Sequence, residues 1–177
     1  TKVSIYKRQW LGSWGYLDFH ANAQAQWNKV PFQMLIMPPI NLSYFEQEET
    51  VSMMKDWEFL NDRQVFWALS WDMNGKLLNR IPLIKKLKWR EWLAIKGVYG
   101  HLTDKNNPFL EKNKNDDTIF LFPKGSDDMG NTPYWECVVG VHNIFKFFAV
   151  EYVRRLTYIN RPGIHKGGVR FNFMMSF

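Results

Sequence analysis

The side chains that could carry out chemistry are few and scattered. Histidines stand at 20, 101, 142 and 165, and none has the helical spacing of a metal-ligand pair. The single Cys137 falls on the apolar parity of its segment, where a nucleophile would be useless. Neither a glycine-rich phosphate loop nor a nucleophile elbow occurs, and the glycines of RPGIHKGG read as a turn. A membrane-embedded hydrolase would need Ser or Asp with His at an outer rim, and only His20 and His165 lie near one. No catalysis, cofactor or metal is therefore expected. The polar residues that do follow a pattern are Asp18, His20, Asn22, Gln24, Gln26, Asp72, Lys96, Glu151, Arg155, Arg170 and Asn172, each on the polar parity of an alternating segment. Facing a lumen, such residues could set ion selectivity, hold a plug, or pair with one another because an unpaired charge there is costly.

Alternation defines the elements that position them. In GYLDFHANAQAQW, Leu17, Phe19, Ala21, Ala23, Ala25 and Trp27 share one parity, and Tyr16 through Gln26 hold the polar one. RQVFWALSWDM, WREWLAIKGVYG, YWECVVGV, FFAVEYVRRLTY and the closing VRFNFMMSF repeat the pattern. Trp92 and Val98 blur it, and Arg154 falls on the apolar side, which marks a bulge, an interface position or a shifted register. A shorter seventh segment is KVSIY. Period two predicts amphipathic strands, longer than the usual five or six residues. Aromatics gather at their ends: Trp27, Trp71, Trp89, Tyr99, Trp135, Tyr158 and Phe177.

Two architectures fit. A soluble β-domain buries the apolar parity, whereas an outer-membrane barrel turns it to lipid and the polar parity to the lumen. Strand length and aromatic girdles favour an antiparallel transmembrane β-barrel. No run approaches the ~18 apolar residues of a membrane helix, since VPFQMLIMPPI contains Gln and three Pro. A lone Cys forms no internal disulfide. The net charge of +6 would suit nucleic acid or an anionic surface, but the basic residues are spread apart from one cluster. The alternative function is accordingly a soluble, basic, aromatic-rich domain that stacks nucleic acid or carbohydrate on Trp.

If the last strand ends on the periplasmic side, the turn at 142–146 is periplasmic, and the segments 28–61 and 103–133 are long and extracellular. The first of these is too apolar for an ordinary loop, above all at 32–42; it either enters the lumen as a constriction or extends the wall through 45–55. Within the second, TIFLFP (118–123) reads as a short apolar strand, in a hairpin or a self-packed loop. The basic cluster Arg80, Lys85, Lys86, Lys88 and Arg90 is interleaved with Leu and Ile. It is either a water-facing periplasmic turn or a contact with headgroups or a partner through Lys85, Lys86 and Lys88.

NGKLLNRIPLIKKLKWRE, with DWEFLNDR before it and GVYGHLTDKNNP after it, resembles the C-terminal part of a Bacteroidota outer-membrane family of unknown function with a carboxypeptidase-regulatory-like domain. The specific core is Asn79, Arg80, Ile81, Pro82 and Leu83, and the likeness runs from about 45 to 177 through VGVHNIFKFFAVEYVRRLTY and RFNFMMSF. The resemblance implies a periplasmic sandwich domain ahead of a barrel larger than this chain, with residues 1–177 as its C-terminal portion. Phe171, Phe173 and Phe177 then form the terminal signal read by the barrel-assembly machinery. The expected role is a pore or a scaffold in an envelope transport or assembly complex. Its partners would be outer-membrane lipid and other envelope proteins, not nucleic acid.

Overall fold

The computed structural model describes residues 1–45, 47–116, 119 and 121–173. It is all-β apart from short helical turns. Seven strands, β1 (Lys2–Trp10), β2 (Tyr16–Ala25), β3 (Arg63–Asp72), β4 (Arg90–His101), β5 (Tyr134–Ile144), β6 (Phe148–Arg155) and β7 (Gly167–Phe173), form one sheet. Its order is β1-β2-β3-β4-β5-β6-β7 and every neighbouring pair is antiparallel. The sheet is open: among the described residues β1 and β7 do not pair with each other. The longest helix, α1 (Pro82–Leu87), has six residues, so no helix among the described residues could cross a membrane.

All six strongly alternating segments are strands, and their register puts equal parities side by side. One rank across the sheet reads Tyr6, His20, Ala68, Lys96, Glu136, Arg155; another reads Asp72, Trp92, Gly140, Glu151, Arg170. This face is covered by the connection between β2 and β3, residues 26–62, here called the strap. The strap settles one alternative: it packs over the inner face and does not extend the wall as a further strand. Among the described residues it meets the edge strand β7 in the isolated Phe45–Phe171 bridge, where the Phe171 amide donates to the Tyr44 carbonyl at 2.8 Å.

The core lies between strap and sheet. Val51, Met54 and Phe59 of the strap pack on Phe66, Ala68, Val98 and Tyr134. Met53 enters a second group with Trp92, Ala94, Val138 and Val153. Leu35 and Leu60 meet Leu102 at the rim. Burying each such side chain is worth about 1.5–3 kcal/mol, which explains the apolar composition of this connection. Trp92 and Val98 blur the alternation of β4 because they are the inner-face residues on which the strap rests.

Several expectations need correction. β1 runs on to Trp10, past KVSIY, and β6 stops at Arg155 before Tyr158. Arg154 marks no bulge: the register is unbroken from Cys137–Arg154 to Glu136–Arg155, and the irregularity lies between Val141 and Ile144. Arg154 stands one residue from the strand end, where a long side chain can carry its charge to the rim. The TIFLFP strand does not form at the described positions 119 and 121–123; Thr118 and Phe120 lie outside the described residues. Instead Phe122 packs edge-on to Phe109 of the same loop and against Phe32 of the strap. Phe177 also lies outside the described residues.

Candidate functional site: the lock between strap and wall

Four neighbouring strands each send one charged side chain from the inner face to the strap. On β4, Lys96 donates to the carbonyls of Gln47 and Thr50, each at 2.9 Å. On β5, fully buried Glu136 accepts the Ser52 and Met53 amides at 2.9 and 3.1 Å and the Tyr134 hydroxyl at 3.0 Å. On β6, Arg155 donates to both carboxylate oxygens of Glu58, at 2.9 and 2.5 Å, and to the Met53 carbonyl at 3.2 Å. The Arg155 guanidinium also lies 4.9 Å from the Tyr134 ring centre. On β7, Arg170 donates to the Ser52 carbonyl at 3.0 Å.

The arrangement answers a solvation problem. A strap laid across a sheet face has backbone amides and carbonyls that neither its own ladder nor water can satisfy. Charged side chains with fixed geometry supply the partners, and ionic hydrogen bonds are the stronger kind. Alternation delivers them, because Lys96, Glu136 and Arg155 occupy one rank of adjacent strands.

A second anchor holds the strap where it rejoins the wall. Buried Asp62 accepts from the Thr103 amide at 3.2 Å, the Thr103 hydroxyl, and Asn106 Nδ2 at 2.9 Å. Asn106 Nδ2 also donates to the Asn28 carbonyl at 3.3 Å, so one residue of the 103–133 loop clips both ends of the strap.

Deeper in the sheet, His142 Nε2 stands 2.7 Å from Glu151 Oε1, and the His142 ring stacks on Trp92 at 4.7 Å. Gly140 makes the room: a Cβ there would come within 2.6 Å of the Glu151 side chain. Beside this pair a small cavity of about 30 Å³ is lined by residues including Asp18, His20, Glu48, Lys96 and Glu151. Glu48 sits at its mouth with part of its side chain in solvent. Partial burial first, then the charge of Asp18, raises its pKa, while Lys96 pulls the other way.

The predicted lumen-lining residues therefore divide. Lys96, Arg155 and Arg170 grip the strap, and Glu151 holds His142. Asp18 instead pairs within the wall, accepting from Arg8 at 2.7 and 2.6 Å and from Tyr6 at 3.0 Å. Asn22 donates to Ser4 at 3.2 Å, and His20 lies 3.8 Å from Glu49. Asp72, the last residue of β3, holds the turn that follows: its carboxylate accepts the Asn74 amide at 2.7 Å. Gln24 and Asn172 share the inner parity and are half-buried. Pairing dominates, but more of it reaches the strap than crosses between strands. Glu58, Asp62 and Glu136 were not singled out from the sequence. Glu136 could have been, since it falls on the polar parity of YWECVVGV; Glu58 and Asp62 sit in a non-repeating segment that carries no such signal.

The opposite face is apolar and bare. Val65, Leu69, Ile95, Val139, Tyr152 and Val169 are 39–55% exposed. Trp67 is partly covered by Trp135 at 5.0 Å and fits over Gly97, where a Cβ would meet its indole at 2.4 Å. At one end of this face Trp14 packs on Trp71 at 6.2 Å, while Trp10 and Tyr16, 5.4 Å apart, lie at the same end on the inner parity.

The Asn79–Leu83 motif forms the β3–β4 turn, with Pro82 opening α1 and the Leu77 amide held by Glu91 Oε1 at 2.8 Å. Lys85, Lys86 and Lys88 are exposed there, and so are Leu83 and Leu87. Among the described residues no group of three or more His, Cys, Asp or Glu could hold a metal ion. The chain matches no protein-family model, no curated protein and no solved structure.

Proposed function

We propose that residues 1–177 form part of the wall of a bacterial outer-membrane β-barrel and act as a strap-filled scaffold in an envelope transport or assembly complex. The observation that carries this reading is an inversion of the usual partition. Lys96, Glu136, Glu151 and Arg155 are at most 2% exposed, while Val65, Leu69, Val139 and Tyr152 on the other parity are at least 40% exposed. In water such a sheet would leave a long apolar surface unsatisfied. In a bilayer the same surface meets lipid, and strands of about ten residues suit a tilted crossing. The aromatics at one end of the band fit the headgroup level. A soluble stacking domain would instead hide the faces of Phe171 and Phe173, which are 37% and 59% exposed.

The strap favours a scaffold over a diffusion pore. It is tied to four successive strands through ionic hydrogen bonds, those of Glu136 and Arg155 buried, and moving it would strip these two buried charges of their strap partners. The resemblance carried by Asn79–Leu83 supports the outer membrane as the location and the barrel-assembly machinery as a partner. Phase separation of a clouding detergent tests the reading. The protein from native membranes should enter the detergent phase and form no ion-conducting channel in planar bilayers. Recovery in the aqueous phase would overturn the membrane assignment, and a steady open conductance would overturn the scaffold.

A further inference from the structure

Resting on the barrel reading, a further site lies where the β3–β4 and β5–β6 turns meet the outer face. Between 74 and 90 the chain has six Lys or Arg and neither Asp nor Glu. That run alone equals the whole net charge of +6, so the rest of the chain is balanced. The loop at the other end of β4, 103–133, has six acidic residues against four Lys. Positive charge is thus gathered at the turn end of the sheet. There α1 buries none of its residues, although Leu83 and Leu87, at i and i+4, share one of its faces. A helix of six residues has little stability of its own in water. The β5–β6 turn repeats the combination, with Phe145 79% exposed next to exposed Lys146. Asn143 Nδ2 donates to the Lys88 carbonyl at 2.7 Å and so joins the two turns.

An apolar groove runs from these turns onto the outer face. It holds about 330 Å³ and is lined by residues including Trp89, Val139, Ile144, Val150, Tyr152 and Val169. Its walls lead directly to cations: Lys88 precedes Trp89, and Lys146 stands two residues after Ile144. Such a slot fits a molecule that is apolar along its length and anionic at one end. An acyl chain suits the groove, and a phosphate suits ammonium groups whose stems rest on apolar surface. In the barrel reading these turns face the periplasm, where the leaflet is built of phospholipid.

We propose that the groove and the two turns bind an anionic phospholipid, with an acyl chain along Val139, Val150 and Tyr152 and the phosphate among Lys85, Lys86, Lys88 and Lys146. Each Lys close to an anionic lipid surface is worth about fivefold in binding, so the site selects headgroups by charge. Leu83, Leu87 and Phe145 enter the same headgroup–acyl boundary. Lipid, in place of a protein layer, covers the apolar face of α1.

The test uses the whole protein with Cys137→Ser and a bimane on Leu93→Cys, in vesicles of phosphatidylcholine. Leu93 pairs with Val139 at the edge of the groove. Phosphatidylglycerol or phosphatidylcholine with brominated chains is added at the same low mole fraction, and the quenching is compared. Brominated phosphatidylglycerol should quench severalfold more. Gln at Lys85, Lys86, Lys88 and Lys146, all exposed, should bring the two lipids to parity. Gln at Lys105, Lys112 and Lys114, exposed at the opposite end, should leave the preference intact. Equal quenching before any Lys is changed, a preference that survives the four turn substitutions, or one lost equally with the three distant ones would overturn the inference while the barrel reading stands. Quenching by neither lipid would mean that the outer face does not meet lipid, and would sink the barrel reading and this site together.

Discussion

The two faces of this sheet are made of the same strands yet obey opposite rules. The outer face carries Val65, Leu69, Ile95 and Val139, exposed among the described residues; the inner carries Lys96, Glu136, Glu151 and Arg155 under a layer of Met, Val and Phe. Polarity alone therefore does not decide what is buried in this chain. What decides it is whether a side chain can find a partner. The inner charges find strap amides, carbonyls and Glu58, and the outer apolar groups find partners only in the lipid that the proposed barrel would give them.

The comparison breaks most easily at Arg155. Arg155→Met leaves Glu58 buried at 3% side-chain exposure without its bidentate partner. Losing one member of a buried pair costs about 3–5 kcal/mol. Thermal unfolding in detergent should show that drop, and Arg155→Met with Glu58→Gln should lose less than the two single changes added. A fully additive double variant would mean that the pair is not coupled.

On the outer face, Leu69→Arg places a charge mid-strand. Toward lipid this costs about 2–4 kcal/mol, whereas on a water-exposed surface it stays within about 0.5 kcal/mol. Reversible unfolding in lipid vesicles separates the two, and an unchanged stability would contradict a lipid-facing Leu69. At the strap's return, Thr103→Val removes a hydroxyl from buried Asp62 and should cost about 1–3 kcal/mol. Proteolysis of the strap should accelerate in parallel.

The smallest effect is expected at Glu48. Its raised pKa means the folded state holds a proton more readily than the unfolded one. Stability then falls as pH rises from the ordinary carboxylate range through the raised value. Glu48→Gln should flatten that part of the profile and raise the melting temperature slightly at neutral pH. An unchanged pH profile would show that neither burial nor the charge of Asp18 raises the Glu48 pKa.

Much of the wall was legible because period two survives any tertiary context that keeps a strand in a sheet. The inner parity of Lys96, Glu151, Arg155 and Arg170 follows from alternation alone. What those residues bind does not, since Ser52, Met53 and Glu58 lie in a segment without a repeat and meet the wall only through the fold. Alternation in β1 fades after KVSIY because Lys7 and Gln9 sit on its outer parity, opposite Phe19 and Leu17. TIFLFP has strand composition, but its described positions 119 and 121–123 form no strand, and Phe122 finds aromatic partners instead.

The central claim is that the apolar face meets lipid, and neighbouring residues 68 and 69 test it most directly. In a Cys137→Ser background, nitroxide labels at Ala68→Cys and Leu69→Cys point to opposite faces of β3. In reconstituted membranes the label at 69 should be relaxed by oxygen and not by a water-soluble nickel chelate, and the label at 68 should be reached far less by oxygen. A label at 69 that responds to the nickel chelate and not to oxygen would contradict the account.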